Sequence, residues 1–437
     1  MKAYTLLARG APISGFWYQE SPIFLPLKDR FSHLWIIGAT GTGKTSLLNR
    51  LILSDLQAGF GLGVIDTHEL ADSLLDEIRR SRIKDVCLFD LSDPGYTIGL
   101  NPFALSPSDS DSENKHLIVE TLISQWRRIW SYSWGPNLEN TLRHSCLTLI
   151  DLPGACLADL RLLLISKRYR EKILSRCQDP HLLSFWRNEF EARKEEYQVE
   201  AVNPILNKLD AFLASPLRAP LCTRIPRLNL RRLIDRGGIL LVPLNKGLLG
   251  EETANFAGSI ILSQLLQAVL SRLDTPEEER DPWFLYIDEF LGNNLAVNVL
   301  KIILNEARKM KVGLILSQHF LAESDPLLVK TLLANVGSLI CFRTSARDAP
   351  LLESHLSTPS EPLPRPLTQL ENYQCYIRIL WEGNPRGPFL SKTLPPPPRA
   401  SPSWREKIIA VSRAKYARPK ELIESSYDKL LERWLKH

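Results

Sequence analysis

The chain has 437 residues, 44% of them hydrophobic and 24% charged, and a formal net charge of +5. This is ordinary for a water-soluble globular protein with two or three domains, and so mild a charge permits an anionic partner without demanding one. Seven scattered cysteines without a C-x-x-C pair speak against a metal centre or a disulfide framework, and neither a signal peptide nor an uninterrupted run of about 18 apolar residues is present, so a cytoplasmic location with no intrinsic membrane span is expected.

Residues 1–33 read as short strands and turns, with Pro22-Ile23-Phe24-Leu25-Pro26-Leu27 the clearest extended piece. Leu34-Trp35-Ile36-Ile37 then has the length and apolarity of a buried strand. Gly38-Ala39-Thr40-Gly41-Thr42-Gly43-Lys44-Thr45 follows at once, and Ser46–Leu53 continues as an amphipathic helix that stops near Gly59. The loop fits G-x-x-x-x-G-K-[ST], and the strand before it and the helix after it are the context that pattern needs. Backbone amides from Gly38 to Ser46 can curl around the phosphates of a nucleoside triphosphate, aided by the positive end of the helix. Lys44 is expected to reach the β- and γ-phosphates, and the Thr45 hydroxyl to hold Mg2+. ATP and Mg2+ are therefore the expected cofactors.

Gly61–Asp66 reads as a second buried strand ending in a carboxylate, with His68 and Glu69 directly after it. Asp66 is placed either near the metal or its waters, or as a helix cap. Val86–Asp90 is a third such strand, and Gly99–Phe103 closes the segment. A Ser/Asp/Pro-rich linker at Ser106–Ser112 precedes a helical stretch from about Lys115 to Asp235. Trp126, Arg127, Arg128, Trp130 and Trp134, then Arg161, Lys167, Arg168 and Arg170, interleave aromatics with cations there. Such mixtures stack bases and hold phosphates, or else form core aromatics with snorkelling cations.

The α/β pattern resumes at Gly238–Leu244, followed by a long helix over Glu251–Arg272. Trp283-Phe284-Leu285-Tyr286-Ile287-Asp288-Glu289 is an apolar strand ending in two carboxylates. Asp288 is expected to join Thr45 in the Mg2+ shell, and Glu289 to orient or deprotonate the attacking water. A helix reaching about Lys309, a strand Val312–Ser317, a helix Asp325–Val336 and a strand Ser338–Phe342 complete a mostly parallel sheet covered on both faces. Tyr373–Trp381 reads as an edge strand. Pro395–Pro398 begins a stiff linker, and Trp404–His437 a helical tail rich in Arg and Lys. Arg308 is either a cation supplied to a neighbouring subunit's site or a basic residue favoured by a helix C-terminus. Gln318 stands where motor ATPases carry a polar γ-phosphate sensor, or else is a surface glutamine at a strand end, and His319 beside it can take the same place.

In this order the elements resemble the HerA/FtsK superfamily of ring-forming motor ATPases, close to the TraG/TraD-like cytoplasmic ATPases of type IV secretion coupling proteins. The resemblance rests on His33–Thr45, Val64-Ile65-Asp66-Thr67-His68, Gly99-Leu100-Asn101-Pro102, Trp134–Glu139, Phe185-Trp186, Leu333–Gly337, Phe342-Arg343-Thr344 and Ser412–Pro419. It implies a RecA-like P-loop NTPase fold (α/β, mostly parallel sheet) with an all-helical inserted domain and a helical C-terminal tail. The expected divisions are 1–104 and 236–393 for the two parts of the ATPase domain, 105–235 for the insert and 394–437 for the linker and tail. It also implies an ATP hydrolase working as a homo-hexamer that moves duplex DNA, with a loading or recruiting protein as a further partner. On this view Lys44, Glu289, Arg308 and Gln318 are catalytic, Arg308 acting in trans. A secretion-type ATPase acting on protein, or a nucleotide-switched interaction module, are the alternative functions.

Overall fold

Short, nearly all-apolar runs such as Leu34–Ile37 and Trp283–Asp288 are too brief for core helices and have no polar alternate face, so they become strands buried on both sides. In the computed structural model, which describes residues 4–12, 21–104, 112–130, 133–289, 297–321, 326–357, 362–396 and 402–435, the strands are β1 (Tyr4–Pro12), β2 (Ser21–Pro26), β3 (Leu34–Ile37), β4 (Gly61–Asp66), β5 (Val86–Leu88), β6 (Tyr96–Thr97), β7 (Ile239–Pro243), β8 (Trp283–Asp288), β9 (Val312–Gln318), β10 (Ser338–Phe342), β11 (Gln374–Trp381), β12 (Asn384–Thr393) and β13 (Arg418–Pro419). The chain divides into two compact units. One comprises Met1–Leu88, Leu230–Asn245 and Leu266–Ile409; the other comprises Phe89–Asn229, Lys246–Leu265 and Ala410–His437.

The first unit holds one sheet of order β2-β1-β12-β11-β10-β3-β9-β8-β4-β7-β5. From β10 to β5 every pairing is parallel, and from β2 to β10 every pairing is antiparallel. The parallel half matches the sequence expectation. Tyr373–Trp381 does not: β11 lies inside the sheet, between β10 and β12, and is no edge. Its outer neighbour Asn384–Thr393 carries Pro385, Gly387 and Pro388, residues that weaken any sequence reading of a strand. The hairpin is closed by Glu382 and Gly383 at φ 50° and 79°, the doubly left-handed turn that suits a two-residue connection.

A buried ion pair anchors this unit. Arg30 donates to both oxygens of Asp55 at 2.6 and 2.7 Å and to the Tyr286 hydroxyl at 3.1 Å, and lies 3.6 Å from the centre of the Phe284 ring. Tyr286 in turn donates to Asp55 at 2.5 Å. His33 is buried with its Nε2 donating to Leu304 O and its Nδ1 accepting from Leu314 N, both at 3.1 Å. Burial, together with the charge of nearby Arg308, pushes this imidazole down to about 4, so it is neutral at pH 7.

The second unit is almost wholly helical. Its longer helices are Ser112–Ile129, Pro136–Ile150, Leu157–Ile165, Glu195–Leu213 and Lys420–Leu435. Trp126, Trp130, Phe212 and Phe256 pack ring against ring in its core, and Trp186 is fully buried. Arg170 is buried too, against Trp186 and Phe190, donating to Leu163 O and Glu191. These tryptophans and this arginine are core residues, and no face is left on them for a base to stack against. The side chain of Arg128, and residues 106–111, lie outside the described set. The tail forms two helices, the second Lys420–Leu435, broken at β13, which pairs with β6. Among the described residues one stretch, Glu251–Asp274, is long and apolar enough to cross a membrane, and 72% of its most apolar window is buried within the protein.

Candidate nucleotide site

The site forms where β3, β4, β8 and β9, all parallel, end side by side. β3 turns into the phosphate loop, and Gly43 at φ 112° starts the helix Lys44–Ala58, which ends on Gly59 at φ 87° with its amide on Asp55 O and Leu56 O. Two glycines here are dictated by contact. A Cβ on Gly38 would stand 2.5 Å from Cβ of Phe342, and one on Gly43 would stand 2.8 Å from the Tyr373 ring. The loop is further tied down by Gly38 N to Gln318 O, Ala39 N to Arg343 O, and Tyr373 N to Thr42 O at 2.8 Å. The first amides of the helix have no intrahelical acceptor and sit at its positive end, which makes a place for an anion.

Lys44 is buried and donates to Ala39 O at 3.0 Å and to Nδ1 of His319 at 2.8 Å. Burial pulls its ammonium down to about 8, against the opposing pull of the Asp288 and Glu289 charges. Thr45 is exposed at the start of the helix, and Thr42 spends its hydroxyl on Ala39 O. Asp288 closes β8 and is buried; burial raises its carboxyl, and the adjacent Glu289 charge adds to the rise. Asp66, at the end of β4, is fully buried and also raised by burial. Its two oxygens accept from the amides of His68 and Ala71, so it shapes the turn that presents His68.

Glu289 is the residue on which the others converge. Its backbone is left-handed at φ 57°, a conformation that is costly without a glycine, and its amide donates to Ser317 O at 3.1 Å. Nε2 of His319 donates to one carboxylate oxygen, and Nε2 of His68 to the other at 2.8 Å. Burial works to raise this carboxyl, but the bonds from His319 and His68 outweigh it and hold it at about 2. It is a fully ionised carboxylate over the whole physiological range.

Of the residues expected from sequence, Lys44, Asp288 and Glu289 meet beside the Gly38–Ser46 loop. Gln318 ends β9 and donates to Phe320 O at 3.1 Å, while it is the next residue, His319, that reaches both Lys44 and Glu289. Arg308 is exposed beyond the helix Val297–Glu306 and near His33, away from the loop of its own chain. His68 is a site residue that the sequence does not single out. The signal for it was weak, two positions past a strand-ending aspartate, and only the tertiary approach of β4 to β8 reveals its partner.

No protein-family model matches the sequence, and a search of curated proteins gives no match either. Among solved structures, the bacterial conjugative coupling protein TrwBΔN70 in its unbound form aligns with a TM-score of 0.61 at 16% identity, over 88% of each chain. The plasmid coupling protein TrwB in complex with ADP and Mg2+ aligns with a TM-score of 0.61 at 17% identity, covering 87% of this chain and 89% of that one. VirB4 of Thermoanaerobacter pseudethanolicus aligns with a TM-score of 0.59 at 12% identity, covering 91% and 98%. The chain has the RecA-like P-loop NTPase fold of these proteins.

Proposed function

We propose that this chain is an ATP-hydrolysing motor of the conjugative coupling-protein type that assembles as a homo-hexamer and translocates duplex DNA. The observation that carries the reading is the convergence of an ionised Glu289 and a buried Lys44 at a phosphate loop, within a fold shared with TrwB over nearly the full length of both chains. A motor needs a cation for the phosphates and a carboxylate for the attacking water, and both are present at one site.

In this reading the amides of Thr40 to Ser46 and the Lys44 ammonium bind the β- and γ-phosphates. Glu289 accepts a hydrogen bond from water through lone pairs that the histidines leave open, since an ionised carboxylate offers about four. The residues also suit Mg2+: two buried carboxyls, Asp66 and Asp288, both pushed up by burial, surround a place where positive charge is wanted, and Thr45 offers an exposed hydroxyl. Thr45 and Asp288 would hold that ion, which neutralises charge developing on the phosphates. Arg308, remote from its own loop, is assigned to the neighbouring subunit's nucleotide.

The test is the ATPase rate with duplex DNA, with single-stranded DNA and without polymer, at two salt concentrations. Stimulation by duplex that fades with salt is expected, because channel contacts fall mainly on phosphates. A rate indifferent to DNA at low salt favours a secretion-type ATPase acting on protein. Sedimentation with and without ATP and duplex tests the hexamer.

A further inference from the structure

His319 joins the two charged groups that the proposed reaction uses. Its Nδ1 faces the Lys44 ammonium at 2.8 Å, with Thr40 Oγ1 3.4 Å away, and its Nε2 faces Glu289. An ammonium can only donate, so Nδ1 must be the accepting nitrogen and Nε2 must carry the hydrogen. One bond therefore dictates the tautomer that makes the other. His68 donates from Nε2 to the second oxygen of Glu289 at 2.8 Å, and it is positioned by the hydrogen bond from its backbone amide to the Asp66 carboxylate. A left-handed glutamate is kept only when its surroundings over-determine it, and these two imidazoles with the Ser317 carbonyl do so.

We propose that His319 is a positioning residue that links Lys44 to Glu289, and that His68 completes a two-sided grip which aims the Glu289 carboxylate. The proposal rests on the nucleotide-hydrolysing reading of the site and deepens it. Lys44 has three hydrogens, of which Ala39 O and His319 take two, so a phosphate is met by the third. Charge arriving at Lys44 is then felt through one imidazole at the base. Gln318, one position earlier, directs its amide to Phe320 O.

The test uses the full chain in two arms. In the first, kcat, KM and the affinity for a fluorescent ATP analogue are measured for His319→Ala, His319→Gln and His68→Ala. His319→Ala should lower kcat about tenfold to a hundredfold, as outer partners of catalytic groups do, and leave analogue affinity within about threefold. His319→Gln, which still presents an N–H toward Glu289, should recover part of that loss, and His68→Ala should lose less because its ring is largely exposed. In the second arm, nitrogen-15 spectra of the eight histidines are recorded, the His319 signals being identified by their loss in His319→Gln. They should show the neutral Nε2–H form and should move in Lys44→Ala and on addition of ADP. A kcat within about twofold of wild type in His319→Ala, or His319 signals unmoved by Lys44→Ala, overturns the proposal. A wild-type chain that neither binds the analogue nor turns over ATP overturns the hydrolase reading instead, and the spectral arm still decides whether the Lys44–His319–Glu289 link exists.

Discussion

Arg308 and His33 are neighbours at the end of β3 remote from the phosphate loop, close enough for the Arg308 charge to disfavour protonation of the imidazole. Within one chain Arg308 is therefore no partner of Lys44. If it completes the site of an adjacent subunit, Arg308→Ala protein titrated into wild type should depress ATPase activity more steeply than simple dilution. The loss in pure variant should reach about a thousandfold, the scale of a trans-acting arginine. Activity falling in direct proportion to the variant fraction would mark Arg308 as structural.

Lys44→Ala and Glu289→Gln should both abolish turnover, by different routes. The first removes a phosphate contact and should weaken binding of a fluorescent ATP analogue. The second keeps the shape of the side chain and should keep that binding while kcat drops at least about a hundredfold. Near-normal hydrolysis in Glu289→Gln would falsify its assignment as the base.

Asp55→Asn removes half of a buried pair and leaves the Arg30 guanidinium facing an amide. Breaking one partner of such a pair costs about 3–5 kcal/mol, more than the pair itself contributes over an apolar replacement. Chemical denaturation followed by tryptophan fluorescence should show the loss in the sheet unit, to which Trp35 and Trp283 report. A change below about 1 kcal/mol would mean the cluster relaxes to let water reach Arg30.

His33 makes stability depend on acid. Its folded value of about 4 lies below the ordinary 6.5, so between these limits the unfolded chain binds the proton and the folded one does not. Its contribution is complete above pH 6.5 and is lost as pH falls toward 4, by about 3 kcal/mol in total. Urea denaturation at pH 7 and pH 5 should show this slope, and His33→Gln should flatten it. An unchanged slope would place the acid sensitivity elsewhere.

What the sequence made legible follows from how local each signal is. The phosphate loop and its flanking strand and helix are contiguous, so residues 34–58 carry their own context. Strands buried on both faces announce themselves as apolar runs, which is why β4, β7, β8, β9 and β10 could be found and read as members of a mostly parallel α/β sheet. β12 could not, because Pro385, Gly387 and Pro388 hide a strand that tertiary pairing with β11 and β1 enforces. The tryptophan–arginine mixture stayed ambiguous because composition does not say which way a ring faces. His68 and His319 are distant in sequence and meet only through Glu289, and no spacing rule predicts that. Asp288 and Glu289 are legible as a strand-end pair belonging to the phosphate loop, whereas the histidines that hold Glu289 come from the ends of β4 and β9, which no local spacing relates to it.

The pairing of β1 with β12 sets an order of events during synthesis. Ala8 lies opposite Thr393, so β1, which has β2 on its other side, gains its second neighbour only once the strands that lie between β2 and β12 in sequence have been made. Until then the β1–β2 hairpin has one open side, and a two-stranded hairpin alone is marginal in water. Pro22 and Pro26 thin out the donors along its outer strand, which makes the waiting hairpin a poor template for another nascent chain. Closure of the antiparallel half thus follows the making of the parallel strands, and removal of residues 384–393 should leave β1 with β2 alone beside it, even where the nucleotide core has already formed.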